Sequence, residues 1–390
     1  MTNSTLRGAT PAVVRAALDA TDPLPGASGC GPDDMGGFGG VVDSQVVRDV
    51  LGRQPMYTEA NVDDPTTADA WAFVPGELSD PVGVPPGAVR TAEGDSQRLE
   101  LPTPPVDDVE TAQAAVTEAL SGALGLNESN EASEASQSTP ADVAVAFSGG
   151  VDSALVAAGF PEAPLYVIGF EGSHDIAAAR EAADAMNRTD DLVVIELDHE
   201  TLREAVPRVA EAIGRTNPMD VSIALPLLLV AERAVDDGYD RLGLGQGADE
   251  LFGGYSKVVE PAEDHRVETT TVRGAVRETI TTLPQQLERD VCGLQAVGVD
   301  PVTPFLQDRV VDAALRLPGE LLATADERKI ALRQFARREG VLPESIASTD
   351  KKAVQYGSYV SREIDRLARQ AGYKRRMDDH VGQYIRSLIE

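Results

Sequence analysis

The chain has 390 residues, of which 64 are acidic and 34 basic, so its formal charge is −30. Such a charge repels the phosphates of nucleic acids and disfavours nonspecific nucleic-acid binding. Cys30 and Cys292 are the only cysteines, and the four histidines show no metal-ligand spacing, which excludes a disulfide framework and a cysteine-rich metal site. No apolar run has membrane-spanning length, and the N-terminus lacks the apolar core of a secretory signal. We therefore expect a cytoplasmic protein without membrane contact.

Lysine is scarce, with five residues in the chain and none among the first 256. A surface this acidic and this poor in lysine suits molar salt, where screening removes the self-repulsion of the charges. The composition therefore predicts a halophilic intracellular protein. An ordinary acidic protein is the alternative, and the lysine depletion argues against it.

The predicted elements divide the chain into three parts. Residues 1–102 are rich in Gly, Pro and Asp and contain short strand-like pieces such as Trp71–Val74, which predicts a small β-rich domain. Residues 106–124 have helical periodicity with an acidic first turn. The polar, low-complexity stretch NESNEASEASQSTP follows and is expected to be a surface insertion without a core of its own. Residues 103–140 are thus a helix plus an insertion, and residues 141–390 form the third part.

From Ala141 onward, apolar strands alternate with alanine-rich helices. The predicted strands are AVAF at 144–147, LYVIGF at 165–170, LVVIEL at 192–197 and RLGLG at 241–245. Such alternation predicts an α/β fold with a parallel sheet, in which ligands bind at the carboxyl ends of the strands.

A specific motif follows the first of these strands. The apolar run ends in Ser148-Gly149-Gly150-Val151-Asp152-Ser153, and a helix begins directly after it. The glycine pair lets the backbone approach a ligand, and the start of the helix offers free N–H groups and a positive dipole end. Ser148 and Ser153 add hydroxyl donors, and Asp152 suits a Mg²⁺ that bridges to phosphates. The motif predicts phosphate binding; the alternative is a turn with Asp or Ser as a helix N-cap.

Residues 243–255 (GLGQGADELFGGY) form a second motif, in which a strand runs into a glycine-rich turn and two carboxylates, Asp249 and Glu250. Because parallel strands end at one edge of a sheet, this motif is expected to direct its acidic groups at the same crevice as the first. Asp152 and Asp249 are then the candidate Mg²⁺ ligands, with phosphate oxygens and water completing the octahedron. A loop with a helix cap is the alternative.

These residues resemble known motifs. SGGVDS is similar to the pyrophosphate-binding loop of ATP pyrophosphatases, and GADELFGGY resembles the signature of the asparagine synthetase family. Further segments resemble motifs of that family in the same order: LYVIGFEGSHDIAAAREAAD at 165–184, VGVDPVTPFLQDRVVDAAL at 297–315, ERKIALRQFA at 327–336 and DKKAVQYGS at 350–358. The resemblance covers roughly residues 105–372. It implies a Rossmann-like parallel sheet of the adenine nucleotide alpha hydrolase (PP-loop) type, with a small β-rich N-terminal domain.

The resemblance also implies ATP and Mg²⁺ as cofactors and gives roles to single residues. Those expected to bind the nucleotide are Phe147, Ser148, Gly149, Gly150, Asp152, Ser153, Ile168 and Gly245. Asp152 and Asp249 would hold Mg²⁺. Lys352, or else Lys351, would stabilise the charge that develops at the α-phosphate, where a compact ammonium suits a crowded position better than a guanidinium.

The N-terminal part departs from the family. Its common glutaminase uses a Cys after the initiator Met, whereas Thr2 stands here and Cys30 is internal. Nevertheless VVRDVLGRQPMYTEA at 46–60 and FVPGELSDPVGVPPGAV at 73–89 resemble late glutaminase segments. We expect residues 1–102 to be a shortened glutaminase-like domain without the catalytic half. Free ammonia, or an external donor, would then supply the nitrogen.

Two departures concern the synthetase motifs. Gln246 stands where the family pattern has a Glu that is thought to assist the attack of the amine, and Gln cannot take a proton. Glu250 is a nearby alternative. The Arg before P-F-L-D is missing, and Gln307 replaces the Asp, with Asp308 next to it. These differences leave the acceptor open.

The expected function is that of an AMP-forming amide ligase. A carboxylate, aspartate by preference, attacks the α-phosphorus of ATP, and ammonia then displaces AMP; Lys352, Asp152, Asp249, Gln246 and Glu250 are the candidate catalytic residues. Adenylation of another carboxylate is a second possibility, and a nucleotide-binding regulator with little ligase activity is a third. A homodimer is compatible with the sequence but is not indicated by it.

Overall fold

The computed structural model describes residues 5–27, 37–126, 143–338, 340–349, 357–374 and 379–389. Its strands are β1 Leu6–Arg7, β2 Gly39–Val42, β3 Gln45–Arg48, β4 Tyr57–Glu59, β5 Trp71–Ala72, β6 Pro81–Gly83, β7 Ala88–Thr91, β8 Gly94–Gln97, β9 Val143–Ala146, β10 Leu165–Phe170, β11 Leu192–Leu197, β12 Arg241–Gly243 and β13 Asp300–Val302. Its α-helices are α1 Pro11–Ala20, α2 Val109–Ala123, α3 Val151–Gly159, α4 His174–Ala185, α5 His199–Ile213, α6 Pro218–Asp236, α7 Ala248–Phe252, α8 Val272–Ile280, α9 Leu283–Gln295, α10 Asp308–Leu315, α11 Gly319–Leu322, α12 Ile330–Ala336, α13 Glu344–Ala347, α14 Val360–Gln370 and α15 His380–Ile389.

The chain divides into two units. The first contains Met1–Gln137, Gly245–Glu288 and Thr303–Arg338, and the second contains Ser138–Leu244, Arg289–Val302 and Glu339–Glu390. The N-terminal residues therefore share a unit with two later segments of the chain. The domain boundaries predicted at residues 102 and 140 stay predictions, and the insertion expected at 127–140 lies outside the described residues.

The second unit contains a parallel sheet of five strands in the order β11-β10-β9-β12-β13. All four neighbouring pairs are parallel, which confirms the predicted α/β fold. From β9 the chain passes to β10 and β11 on one side, while β12 lies on the other side. The strand order therefore reverses at β9, and in sheets of this kind ligands bind at such a switch point.

The predicted strands of this sheet are observed with small shifts at their ends. β10 and β11 have the predicted bounds and pair in register from Leu165↔Leu192 to Phe170↔Leu197. β9 begins and ends one residue earlier than the predicted strand at 144–147, and β12 ends at Gly243 rather than at Gly245. The fifth strand, β13, was not predicted, because three residues that include Pro301 carry no strand periodicity.

Helices α5, α6, α14 and α15 supply the main apolar core of the second unit. Tyr166 and Leu242 from the strands pack with Val221, Leu225 and Ile364 from the helices, all of them buried. The Tyr166 hydroxyl donates to an Asp237 carboxylate oxygen at 2.7 Å, so the polar end of this core tyrosine is satisfied. The sheet is therefore held firmly on this side.

The first unit contains two antiparallel sheets, which confirms the small β-rich part. One has the order β1-β2-β3-β7-β8, and the other has the order β5-β4-β6. Val46, Met56, Phe73, Val84 and Ala88 form a small buried core. Helix α2 also lies in this unit and covers most of the helix predicted at 106–124.

An acidic residue begins helix α2, as the sequence pattern predicted. Asp108 is its N-cap and accepts a hydrogen bond from the Thr111 backbone N–H at 3.0 Å, which satisfies one of the orphan donors of the first turn.

Within the described parts of the chain, no helix combines the length and apolarity that a bilayer span requires.

Candidate active site

The loop between β9 and α3 has the geometry of an anion cradle. Gly149 has φ +78°, and a Cβ at this position would lie 2.4 Å from the carbonyl oxygen of Ala178. Only glycine therefore fits, because the backbone is left-handed and α4 lies against it. Gly150 is the N-cap of α3 without a side chain to cover the helix start. The first N–H groups of α3 thus start at a bare backbone, as anion binding requires.

The two serines of this loop mainly hold its shape. The Ser148 backbone N–H donates to Ser153 Oγ at 3.2 Å, and Ser153 Oγ donates to the Gly150 carbonyl at 3.1 Å. The Ser148 and Ser153 hydroxyls are 3.2 Å apart. Ser153 is buried, whereas Ser148 is only partly buried. Ser148 is thus the more accessible donor for a ligand.

Asp152 lies in the first turn of α3 and is partly buried. Its carboxylate stands beside the positive end of the helix dipole, an interaction that stabilises negative charge.

Phe147 was predicted to end the strand AVAF, but β9 ends at Ala146 and Phe147 follows it directly. Ile168 lies on the neighbouring strand β10. Their side chains are only 1% and 4% exposed. Their predicted place beside the adenosine remains a prediction.

The second motif builds a group of its own in the first unit. Gly247 has φ +91° and precedes α7, which carries Asp249 and Glu250. Asp249 Oδ1 accepts from Lys329 Nζ at 2.7 Å; the Asp249 side chain is 45% exposed and that of Lys329 only 10%. A Cβ at Gly254 would lie 1.7 Å from Asp249 Oδ1 and 2.4 Å from Lys329 Cε. Glycine at 254 therefore makes room for this ion pair.

Glu250 points into the interior of the first unit. Its side chain is buried, and Oε1 accepts a hydrogen bond from the Tyr255 hydroxyl at 2.6 Å. Burial raises the pKa of Glu250, the bond from Tyr255 opposes that rise in part, and the neighbouring Asp249 adds to it. Burial and the Glu250 charge likewise raise the pKa of Tyr255. Glu250 is thus placed as a buried partner of Tyr255.

Leu306 fixes the position of the turn before α7. A Cβ at Gly247 would lie 2.5 Å from Leu306 Cδ2, so the leucine side chain lies directly on the glycine. Pro304–Leu306 form a 3₁₀ turn, and Gln307 is the N-cap of α10. Gln246, next to Gly247, is partly buried.

Several predicted residues thus fall into two groups, one in each unit. The second unit brings together Phe147, Ile168 and the loop 148–153, and the first unit brings together Gly245, Gln246, Asp249 and Glu250 with Lys329. Lys351 and Lys352 lie outside the described residues, as do Thr2 and Cys30. Among the residues that are described, no group of three or more His, Cys, Asp or Glu could hold a metal ion by itself.

Lys329 belongs to this site through its pair with Asp249, and it was not singled out in the sequence analysis. The signal was present, because Lys329 belongs to the ERKIALRQFA segment. Its pairing with Asp249, 80 positions earlier, became visible only in the folded chain.

We expect Gly149→Ala to weaken ATP binding by more than about tenfold. A left-handed φ costs a non-glycine residue roughly 1–2 kcal/mol, and the new Cβ would also press on Ala178. Gly172→Ala is the matched control, because Gly172 has φ +69° but open space around its Cβ position. Calorimetric titration with ATP and melting curves would compare the two variants. Equal effects of both would show that the contact with α4 is unimportant.

We expect Glu250→Gln to stabilise the protein at neutral and alkaline pH. The pKa of Glu250 is raised on folding, so ionised Glu250 costs stability above that pKa, and the cost vanishes once pH falls below the unfolded value. The amide oxygen can still accept from Tyr255. Denaturant unfolding at pH 8 and pH 4, with Glu162→Gln as the exposed control, would measure the difference. An equal effect at both pH values would contradict this reasoning.

The fold and the β9–α3 loop define a class, that of Rossmann-like α/β proteins with a glycine turn at the switch point of a parallel sheet. Comparison with known proteins narrows this class. The family model described as asparagine synthase matches residues 130–269 and 259–381, more than half of the chain. The chain therefore belongs to the asparagine synthase family, as the motifs predicted, and this membership agrees with the expected class of carbon–nitrogen ligases.

Individual relatives agree with the family match. A protein of Methanocaldococcus jannaschii, named as a glutamine-hydrolyzing asparagine synthetase, is 30% identical over 284 residues, which are 63% of this chain and 51% of that protein. Asparagine synthetase B (glutamine-hydrolyzing) of Escherichia coli is 24% identical over 236 residues, 55% of this chain and 41% of that protein. Asparagine synthetase (glutamine-hydrolyzing) 2 of Oryza sativa is 24% identical over 268 residues, 62% and 41% of the two chains. The chain thus spans about half the length, or less, of these relatives.

Proposed function

We propose that the protein is an ATP-dependent, AMP-forming amide ligase that adenylates aspartate and transfers the aspartyl group to ammonia, giving asparagine. The observation that carries the proposal is the loop Ser148–Ser153, a bare-backbone anion cradle at the switch point of the parallel sheet. Gly149 lets this loop pack closely against α4, and Gly150 begins α3 without a side-chain cap. Membership of the asparagine synthase family supports the same reaction class.

ATP would bind with its pyrophosphate part in this loop. The backbone N–H groups at the start of α3 and the Ser148 hydroxyl are donors suited to phosphate oxygens. Phe147, Ile168 and Gly245 are the proposed neighbours of the adenosine. The residues fit a triphosphate, because the helix Val151–Gly159 begins after Gly150 without a side-chain cap, so its first N–H groups can donate to phosphate oxygens.

Asp152 and Asp249 are the proposed Mg²⁺ ligands. Carboxylate oxygens are donors that Mg²⁺ prefers, and it commonly takes one or two of them together with phosphate oxygens and water. The Asp249 side chain is 45% exposed, and Asp152 is partly buried in the first turn of α3. When bound, Mg²⁺ would neutralise the phosphate charge and favour pyrophosphate as the leaving group. Lys329 donates to Asp249 and holds that carboxylate in place.

The first step forms an acyl-adenylate. An aspartate carboxylate oxygen attacks the α-phosphorus, and the bond from that phosphorus to the pyrophosphate oxygen breaks. The protein's contribution is to position the two reactants and to offset charge. By the resemblance, Lys352 or Lys351 would offset the charge that develops at the α-phosphate. Both lysines lie outside the described residues.

The second step forms the amide. Ammonia attacks the acyl carbon, AMP leaves with its phosphate oxygen, and the nitrogen loses a proton. Gln246 can donate or accept a hydrogen bond but cannot take that proton at neutral pH. Glu250 is the other candidate, but its carboxylate is buried and already accepts a hydrogen bond from the Tyr255 hydroxyl. Proton loss to water or ammonia is therefore part of the proposal.

Free ammonia is the proposed nitrogen source, with an external donor as the alternative. In the segment at 46–60 that resembles a late glutaminase motif, three of the four charged residues, Arg48, Asp49 and Arg53, are buried in structural contacts, and Glu59 is half-buried. The burial of these three side chains supports a structural role of the segment rather than glutamine hydrolysis. Two alternative functions remain. Gln246 in place of Glu favours a nucleotide-binding regulator with little ligase activity, and the second alternative is adenylation of another carboxylate.

The test is pyrophosphate release by the full-length protein in molar KCl with Mg-ATP. Reactions would contain aspartate plus ammonium, aspartate plus glutamine, or no acceptor, with Asp152→Ala as the blank. Release that needs aspartate and ammonium, together with asparagine formation, is the expected result. Asparagine formation with aspartate and glutamine, in the absence of ammonium, would contradict free ammonia as the nitrogen source. No release above the blank, while ATP still binds in calorimetry, would favour another carboxylate or the regulator.

A further inference from the structure

A network of buried charges joins the N-terminal residues of the first unit to the first residue of α10 and to the turn before it. The side chain of Arg53 is 2% exposed, and those of Asp49 and Asp308 are fully buried. Arg53 Nε donates to Asp49 Oδ1 at 2.9 Å, and Nη1 donates to Asp308 Oδ1 at 2.6 Å. The second oxygen of Asp308 accepts from the Gly26 backbone N–H at 2.8 Å. One guanidinium therefore ties together residues more than 250 positions apart.

The charge of Arg53 is secure in this position. Burial alone would lower the pKa of Arg53, but attraction by Asp308 and Asp49 outweighs that effect and raises it. Asp49 is further fixed, because Oδ1 accepts from the Leu51 N–H at 3.0 Å and Oδ2 from the Arg53 N–H at 2.9 Å. A guanidinium with its planar fork can satisfy two carboxylates at once, which an ammonium cannot do with the same geometry.

Arg53 also holds the backbone beside the candidate active site. Its Nη1 donates to the Leu306 carbonyl at 2.8 Å. The Leu306 side chain in turn lies on Gly247, where a Cβ would come within 2.5 Å of it. Gly247 stands between Gln246 and Asp249 and begins α7. Two contacts therefore separate Arg53 from the turn that carries these candidate residues.

We infer that Arg53 is a positioning residue of the proposed ligase: by gripping Asp308 and the Leu306 carbonyl, it holds Leu306 against Gly247 and so sets the turn of Gln246 and Asp249. The N-terminal residues of the first unit then serve the proposed synthetase chemistry through this contact. The inference rests on the proposed function for its effect on rate. Its structural part, the ordering of the turn, stands apart from that function.

Arg53→Lys tests this role, because it keeps the charge and removes the fork. Arg48→Lys is the matched control: Arg48 is equally buried and belongs to the same segment, but it donates to Val84, Gly52 and Glu288. For the full-length proteins we would measure hydrogen exchange of a peptide covering residues 245–255. In the same samples we would measure kcat, KM for ATP and the half-saturating Mg²⁺ concentration for pyrophosphate release.

We expect Arg53→Lys to speed exchange in residues 245–255 by at least about fivefold and to lower kcat about tenfold or more. The half-saturating Mg²⁺ concentration should rise several-fold through Asp249, while KM for ATP stays within about twofold. Each variant would be measured at the same number of degrees below its own melting temperature. Under that condition, Arg48→Lys should change the exchange rate, kcat, KM for ATP and the half-saturating Mg²⁺ concentration by less than about twofold. Unchanged exchange in Arg53→Lys, or equal changes in both variants, would overturn the inference.

Asp308→Asn gives a second reading if Arg53→Lys does not fold. It weakens the grip on Arg53 without removing an arginine, and we expect the same changes at smaller size. If the wild-type protein releases no pyrophosphate with any carboxylate, the proposed function fails, but hydrogen exchange still decides whether Arg53 orders the turn. Exchange that stays unchanged in Asp308→Asn as well would end the proposal.

Discussion

Replacing Asp152 by Asn is expected to lower the rate of pyrophosphate release by roughly 10²–10³-fold, the effect seen when a single charge-stabilising group is removed from an active site. Asn has the same shape but lacks the charge that attracts Mg²⁺. The fold should survive, because Asp152 is only partly buried and loss of its helix-dipole interaction costs only about 0.3–1 kcal/mol.

Asp198→Asn is the matched control for this experiment. Asp198 is the exposed N-cap of α5 in the same unit, where Asn caps as well as Asp. Pyrophosphate release by both variants at saturating Mg-ATP, with melting temperatures alongside, gives the comparison. A rate for Asp152→Asn above half that of the wild type would remove Asp152 from the proposed Mg²⁺ ligands.

Replacing Arg53 by Met is expected to have the largest effect on stability, a loss of about 3–5 kcal/mol. Methionine fills much of the space but leaves Asp49 and Asp308 buried without their cation. Unfolding in denaturant at constant salt would report the loss in the free energy of unfolding. In contrast to Arg53→Lys, which tests position, this change tests the charge itself.

The control for this second experiment is Arg15→Met. Arg15 pairs with Asp43, but both side chains are more than half exposed. Such pairs contribute little, since water and ions screen them. We expect no measurable change in the denaturation midpoint. A loss below about 1 kcal/mol in Arg53→Met would mean that the buried carboxylates find other partners or take up protons.

The parallel sheet was predictable because its longer strands are mostly apolar runs. β10 and β11 have six residues each and were located to the residue. β13 escaped prediction because its three residues pair only through a tertiary contact, Gly243↔Val302 among others. Local pattern describes a six-residue apolar strand well and a three-residue strand poorly.

In the candidate site, too, some features follow from local sequence and others depend on tertiary packing. The turn at Gly149 could be inferred from residue types alone, because the full motif SGGVDS between a strand and a helix is far more specific than a glycine pair. The burial of Glu250 against Tyr255 and the pairing of Lys329 with Asp249 could not be inferred, since both depend on how helices pack. Arg53 and Asp308 are 255 positions apart, and no local pattern relates them.

The depth of the Arg53 network has a consequence for the salt response of the protein. At 1 M salt the Debye length is about 3 Å, so ion pairs on the surface lose most of their attraction. Arg53 and its two carboxylates have almost no contact with solvent, and mobile ions do not reach them. The ion pairs of Arg53 are therefore insulated from the medium. In concentrated salt they keep a strength that the exposed pair of Arg15 and Asp43 loses.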